Sequence, residues 1–342
     1  MKELTLEDIA QLVGVHRSTV SRVINGSPRV SPEVRDRVLQ VIRETGYQPN
    51  AAARTLASQR SWMIGLVLPR SVSVFFTDPY FPHLTQGIAF GCNNHDYTLC
   101  LFLVGNKEDE EKILPRLSRR GMLDGILIQS GTPDDKLIDQ LNASSIPSAM
   151  IGRPNNPEGL SFIDVDNVKA AEIATDHLIN LGYHRIATIT GPIGSTVTAD
   201  RLEGYRKSLE KNGRALEKAL IEPGNFSEID AYNAMKVLLE RQPDAVFAAS
   251  DIMAAGAIRA VKEVGLRIPE DIAFVGFDDI PLGGLSTVPL TTIRQPITKF
   301  GVKAVELLID LIENGTTPPK QIIMDAELII RDSCGAKKLG II

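Results

Sequence analysis

The sequence predicts an all-α helix-turn-helix head followed by an α/β body of two parallel-sheet lobes. Three observations predict it. Residues 1–60 show only helical periodicity, broken by start and stop signals. From Trp62 onward, short β-rich runs (WMIGLVL, YTLCLFLV, GILIQ, AMIG, SFIDV, RIATIT, AVFAAS, IAFVGF) alternate with helical stretches, as parallel strands covered by helices do. This body of about 280 residues exceeds the roughly 100–200 residues of a usual domain, so it divides in two.

Composition narrows the function classes. The 342-residue chain is 43% hydrophobic and 23% charged, which excludes wholesale disorder. Its longest uncharged apolar stretch, Trp62–Leu68, is far below the ~20 residues that cross a bilayer. The opening MKELTLEDIA has acidic residues where an export leader needs an apolar core, so a cytoplasmic protein with no membrane attachment is expected. Three cysteines (Cys92, Cys100, Cys334) without C-x-x-C spacing argue against a disulfide framework or a zinc site. The five histidines (His16, His83, His95, His177, His184) lack metal-ligand spacing. Dinucleotide, phosphate-loop, zinc-protease and nucleophile-elbow motifs are missing too. An enzyme, a metal and a cofactor are therefore not expected. Charge is uneven: residues 1–60 hold nine Lys/Arg and six Asp/Glu, the remainder 28 and 36. A basic head on an acidic body suggests a polyanion bound at the head.

In the head, Thr5 starts the first helix: T-L-E-D places a hydroxyl before an acidic first turn, and Leu6, Ile9, Ala10 and Val13 recur at helical spacing up to Gly14. A second helix runs from about Arg17 to Ile24, with Val20, Val23 and Ile24 on one face and Arg17, Ser18, Ser21, Arg22 and Asn25 on the other. Two short helices joined through a Gly-containing turn form the motif whose second helix can lie in a major groove. Arg reaches guanine O6 and N7 in bidentate fashion, while Ser and Asn hold phosphates or base edges. The third helix has Ser31 as N-cap, Pro32 at its first position and Gly46 as its stop. Beyond it, Asn50 can cap a short helix over 51–57 whose one large apolar residue is Leu56. So short a helix is marginal alone, and without further context the segment reads rather as a plain linker.

TLEDIAQLVGVHRSTVSRVINGSPRVSPEVRDRVLQVIRETGYQPNAAARTLAS resembles the DNA-binding head and hinge of the lactose/galactose repressor family. V-S-R-V-I-N-G, S-P-E-V-R, G-Y-x-P-N and the hinge leucine all fall in register. The resemblance implies that Arg17, Ser18 and Arg22 read bases and that Thr5, Ser21 and Asn25 contact the DNA backbone. It further implies that Asn50 opens the hinge and Leu56 wedges into the minor groove of a pseudo-palindromic operator. His16 stands where many relatives have Ser as N-cap; either the helix start differs or His16 itself reaches a phosphate.

In the body, Asp251 follows AVFAAS and Asp278 follows IAFVGF, at the carboxyl ends of strands where open α/β sheets gather ligands. Asp251 could equally cap the next helix and Asp278 start a turn, while Arg201, after the loop GPIGSTVTAD, by itself reads rather as a surface residue. Asp78 sits among Phe75, Phe76, Tyr80 and Phe81 in a chain with 5% aromatics. An acceptor beside a stacking wall suits a saccharide. From this segment Asp78, Phe75 and Phe81 are the candidates, although Phe81, Leu84 and Ile88 also have the spacing of a buried helix face. Arg153, in I-G-R-P past a strand end, is a further candidate.

The resemblance continues to about Asp332 through L-I-N-L-G-Y-H-R-I-A, I-T-G-P, R-L-E-G-Y, S-D-I-M-A-A-G-A, V-G-F-D-D and L-T-T-I-R-Q-P. It implies an effector-binding core similar to periplasmic sugar-binding proteins, with Arg201, Asp251, Asp278 and Gln295 at effector positions. Ser250 departs from relatives that carry Asn there. The expected boundaries are a head over 1–48, a hinge over 49–60, a core over 61–332 and a tail over 333–342. The core divides into a first lobe of about 61–161 and 293–324 and a second of about 162–292 and 325–332. Crossings are thus expected near Ser161, Thr292 and Met324.

The implied function is a sequence-specific transcriptional regulator, a repressor bound as a homodimer to double-stranded operator DNA and controlled by a small effector, a sugar. Control by a purine corepressor or by a phosphorylated carrier protein is the alternative within the family, and a solute-binding protein the alternative outside it.

Overall fold

The computed structural model describes residues 4–24, 27–47, 60–117, 121–129, 140, 144, 146–282, 288–337 and 340. Asn25, Asn50, Leu56 and the hinge segment lie outside them. Contacts divide the chain into two units, Met1–Ser61 and Trp62–Ile342.

The first unit holds helices α1 (Leu6–Val13), α2 (Arg17–Ile24) and α3 (Pro32–Thr45). Thr5 and Asp8 close a reciprocal capping box on α1, and Gly14 ends it at φ 73°. Ser31 precedes α3 without a side-chain cap, leaving Pro32 at the first turn to set the start. Ile9, Ala10, Val13, Val20, Val23, Val38 and Tyr47 form the buried core. Arg37 on α3 donates to the Val13 carbonyl at 2.6 Å, satisfying the open end of α1.

The second unit contains two six-stranded sheets. The first is built from β1 (Met63–Leu68), followed by α4 (Val72–Thr77) and α5 (Tyr80–Asn94), then β2 (Thr98–Leu103), α6 (Lys107–Leu117), β3 (Gly125–Gln129), β4 (Ser148–Ile151) and β5 (Phe162–Val165). The chain then enters the second sheet through α7 (Asn167–Asn180), β6 (Ile186–Thr190), α8 (Thr196–Lys211), β7 (Ile221–Pro223), α9 (Glu228–Leu239), β8 (Ala245–Ala248), α10 (Asp251–Glu263), β9 (Ala273–Asp278) and β10 (Thr291–Arg294). It returns to the first lobe as α11 (Ile297–Asn314) and β11 (Gln321–Met324), and finishes in the second as β12 (Glu327–Ile329).

Strand order is β11-β5-β4-β3-β1-β2 in one sheet and β12-β10-β9-β8-β6-β7 in the other. All pairs are parallel except β10 with β12. Strands covered on both faces read as continuous apolar runs, and all eight runs of the sequence become strands. On one face of the first sheet, α5 and α11 bury Leu84, Ile88, Phe300, Ala304 and Leu308 against Ile64 and Leu66. The helices come so close that a Cβ on Gly87 would meet the Thr298 carbonyl oxygen at 2.3 Å.

The crossings fall later than expected. SFIDV belongs to the first lobe, because Phe162 and Ile163 pair with both β4 and β11. The first crossing is therefore at Asp166, not near Ser161. Thr292 likewise pairs within the second sheet, so the chain leaves it after Arg294. The third passage between the sheets is at Asp325–Ala326, between β11 and β12.

Candidate nucleic-acid interface and ligand cleft

Helix α2 buries Val20 and Val23 and exposes Arg17, Ser18 and Arg22, with Ser21 half-buried between them. His16 is its cap. The Ser18 backbone N–H donates to His16 Nδ1 at 3.2 Å, and the Ser18 hydroxyl lies 2.8 Å from the same nitrogen. With Nδ1 accepting from the Ser18 N–H, the imidazole caps α2. Thr5 is exposed, its hydroxyl donating to Asp8 at 2.7 Å. The sequence alternative of a shifted helix start is thus unnecessary: His16 replaces a serine cap.

In the second unit, polar side chains from both lobes meet beyond the carboxyl ends of the strands. Arg201, on α8, is 5% exposed. Its Nε donates to Asn167 Oδ1 at 2.9 Å, its Nη1 to the Ala249 carbonyl at 2.5 Å, and its Nη2 lies 3.7 Å from Asp278. The guanidinium rests 3.6 Å from the centroid of the Phe277 ring, a cation–π contact. Burial lowers its pKa against the opposing pull of Asp278 and neighbouring acids.

Asp278 ends β9 at φ 116° and is followed by Asp279 at φ 57°, conformations that non-glycine residues seldom adopt outside functional sites. Gln295 donates to its Oδ1 at 2.5 Å. Burial pushes this carboxyl up to about 7, assisted by Asp78 across the cleft and opposed by Arg201. The Asp78 carboxylate accepts from the Tyr80 N–H at 3.0 Å, and its pKa is raised by burial. The Tyr80 phenol is held neutral by burial and by the acids Asp278, Asp164 and Asp78 around it. Asp164, at the end of β5, accepts from the backbone of Arg153 (2.8 Å) and Val165 (2.7 Å) and from Asn167 Nδ2 (3.2 Å).

Asp251 lies on this side of the second sheet, but its carboxylate is internally bonded. Oδ1 accepts from Thr292 at 2.6 Å and Oδ2 from the Ile280 N–H at 3.0 Å, at 2% exposure. A Cβ on Gly276 would come 2.2 Å from that Oδ1, so the glycine makes room for it. Burial, then the neighbouring Asp278, raises the Asp251 pKa well above the usual range. The cap of α10 is Ser250, which accepts from Met253 N–H at 3.3 Å. Ser250 thus fills the capping position, and Asp251 fastens β10 rather than capping the helix.

The structure therefore gathers Asp78, Arg201, Asp278 and Gln295 and adds Tyr80, Asp164 and Asn167, which the sequence did not single out. Phe75 and Phe81 are 6% and 4% exposed within the first lobe's core, Phe75 edge-on to Phe76 and Phe81 beneath the Arg70 guanidinium. They are buried because α4 and α5 need apolar side chains against the sheet. Phe76 instead stands 72% exposed. Arg153 is joined to Asp200 of the other lobe, Nη2 reaching the two carboxylate oxygens at 2.6 and 2.8 Å. Among the described residues, no helix is long and apolar enough to cross a membrane, and no cluster of His, Cys, Asp and Glu is placed to hold a metal ion.

Comparison with known proteins agrees with both parts. Residues 5–50 match the family described as bacterial regulatory proteins, lacI family, and residues 175–334 the periplasmic binding protein-like domain. The chain is 37% identical to the HTH-type transcriptional regulator CelR of Thermobifida fusca over 333 residues, 96% of this chain and 98% of the relative. It is 34% identical to the ribose operon repressor of Halalkalibacterium halodurans, covering 96% of each. Among solved structures, a transcriptional regulator CelR–cellobiose complex superposes with a TM-score of 0.77 at 35% identity, covering 96% of this chain and 99% of that one. The lac repressor dimer bound to operator and the anti-inducer ONPF superposes with a TM-score of 0.83 at 26% identity, covering 97% and 99%.

Proposed function

The chain belongs to the lacI family of bacterial regulatory proteins and is a DNA-binding transcriptional regulator; from that premise we propose that it is a cytoplasmic repressor, bound as a homodimer to a pseudo-palindromic operator and controlled by a sugar. A two-fold dimer matches the symmetry of such a site. Arg17, Ser18 and Arg22 read bases, while Thr5, His16, Ser21 and Asn25 hold the backbone. Asn50 and Leu56 belong to the hinge, with Leu56 as its wedge. A family made up of transcriptional regulators argues against an enzymatic role.

The observation that carries the sugar reading is the convergence of Arg201 on α8, Asp278 at the end of β9 and Gln295 after β10 on Asp78 and Tyr80 of the first lobe. Carboxylates accept from adjacent hydroxyls, and amide, phenol and guanidinium groups donate to them. A ligand touching both lobes changes their relative free energy, and operator affinity with it; the coupling is reciprocal. The test is selection of operator sequences from random pseudo-palindromes, read by fluorescence anisotropy at two salt concentrations, followed by addition of sugars and purines. Salt-sensitive specific binding shifted by a sugar is the expected result. A shift by purines alone overturns the sugar reading, and failure to select any sequence overturns operator binding by this head.

A further inference from the structure

Resting on the effector site proposed above, we infer that Asp279 is the positioning residue that holds Asp278 and Gln295 in their binding geometry. The motif V-G-F-D-D has two acids, and their side chains part. Asp278 is 5% exposed and accepts from Gln295, whereas Asp279 is half-buried and accepts from two arginines.

Residues 278 and 279 grip residues 294 and 295 by two rungs, where Arg294 is already paired with Asp278 in the parallel ladder of β10 and β9. On the buried rung, the Gln295 side chain donates to Asp278 Oδ1 at 2.5 Å and its backbone N–H to the Asp278 carbonyl at 3.3 Å. On the outer rung, Arg294 Nε donates to Asp279 Oδ2 at 2.7 Å. That rung extends in two directions. Arg294 Nη1 donates to Glu327, its neighbour on β12, at 3.0 Å. Arg331 Nη2 donates to Asp279 Oδ1 at 2.6 Å, while its Nη1 and backbone N–H hold the Leu290 carbonyl and Thr291 Oγ1, each at 2.8 Å. Both ends of β10 are therefore tied to Asp279. Arg294 also opens the second passage between the sheets and Glu327 follows the third, so the network joins the cleft floor to those connections.

The backbone shows why such a clasp is needed. Asp278 at φ 116° and Asp279 at φ 57° hold conformations that persist only where the surroundings over-determine them. Burial raises the Asp279 carboxyl, but the hydrogen bonds from Arg294 and Arg331 outweigh it and keep it below the usual carboxylate range. Solvent-facing ion pairs add little to global stability, so the effect is local. A binding group serves its ligand only when its neighbours fix it to within about 0.5 Å, and Asp279 does this for Asp278.

Two measurements on the full-length protein test the role. The first needs no ligand: hydrogen exchange read by mass spectrometry over 273–282 and 291–300, which include the Ile280 N–H held by Asp251. In Asp279→Asn exchange there is expected to quicken about ten-fold, with β1 of the first lobe keeping the parent's rate. The second is calorimetry at pH 7.5 with glucose, ribose and cellobiose, continued with whichever binds the parent. Asp279→Asn is expected to weaken that affinity about ten-fold at an unchanged number of sites, whereas a merely destabilised chain titrates fewer sites at the parent's affinity. Asp279→Gly, which suits φ 57° but removes the carboxylate, is expected to weaken it as much. In a Gln295→Ala background the further loss from Asp279→Asn is expected to be less than about two-fold, because Asp279 acts through that pair. Parent-like exchange in Asp279→Asn overturns the holding role, whatever the sugars do. Parent-like affinity in Asp279→Gly, or a full ten-fold further loss without Gln295, overturns positioning by the carboxylate. Binding of none of the three sugars counts against the sugar reading and removes the effector role, and the exchange rates still decide whether Asp279 holds Asp278.

Discussion

Arg153 of the first lobe and Asp200 of the second are joined through one guanidinium nitrogen, Nη2, which donates to both carboxylate oxygens. The same loop is tied twice more. Thr196 on α8 donates to the Arg153 carbonyl at 2.7 Å, and the Arg153 N–H donates to Asp164. Arg153 thus bridges the lobes by side chain and backbone together. Its side chain keeps 33% of its exposure, so solvent screening leaves a coupling of about 1 kcal/mol. Urea unfolding of Arg153→Ala, Asp200→Ala and the double variant should return that coupling. Strict additivity of the two single changes would show that the pair contributes nothing.

Asp251 should matter for stability more than for binding. Its carboxylate holds Thr292 of β10 and the Ile280 N–H in a site closed by Gly276. Removing one partner strands buried polar groups, which costs roughly 1–3 kcal/mol. Thr292→Val is therefore expected to lower the free energy of unfolding by that amount, and with it the midpoint, and Gly276→Ala to lower both as well by driving a Cβ into Asp251. An unaltered midpoint in Thr292→Val would remove the fastening role.

Asp278 links stability to pH. Its value in the folded chain, about 7, lies above the ordinary 3.8, so the fold favours the protonated acid. This stabilisation is complete below pH 3.8 and is lost as pH rises through about 7. His177, whose pKa burial lowers, acts in the opposite sense, so the comparison must be with Asp278→Asn. Between pH 5 and pH 8 the parent should lose stability relative to that variant. Parallel pH profiles for the two proteins would contradict the assignment.

In the head, His16→Ala should cost about 1 kcal/mol by removing the cap of α2, whereas His16→Ser should restore much of it. Thermal unfolding followed by helical circular dichroism measures both. Equal stability of parent and His16→Ala would mean that the ring does not cap.

Leu56 is the one large apolar side chain of residues 50–57. Leu56→Ala is expected to abolish tight operator binding while leaving effector affinity in place. Anisotropy and calorimetry on the same preparation check the two halves, and undiminished operator affinity would exclude a wedge.

What was readable in the chain follows from how each residue meets water. Buried parallel strands such as Gly125–Gln129 must be apolar throughout, so they announce themselves. Thr291–Arg294 does not, because Thr291 and Thr292 are buried through hydrogen bonds to Arg331 and Asp251 that lie 40 and 41 residues away along the chain. The edge strand Gln321–Met324 is hidden for the opposite reason, being half in water. In the cleft, the acids after β-runs were visible from position alone, as at Asp278. Tyr80 was indistinguishable from its aromatic neighbours, and Asp200 carried no local sign of a partner 47 residues earlier. The depth at which Phe75 and Phe81 pack was not legible, because an aromatic cluster serves a core as well as a ligand.

The return of α11 to the first lobe also sets an order of events during synthesis. Ile64, Leu66 and Leu84 leave the ribosome early, yet the helix that covers them, with Phe300, Ala304 and Leu308, comes near the end. The nascent first lobe must wait, its apolar face uncovered, while the whole of β6 to β10 is translated. The second lobe can pack most of its sheet in that interval. The half that begins the body is thus the last to be finished, and its apolar face is the one left longest open to misassociation.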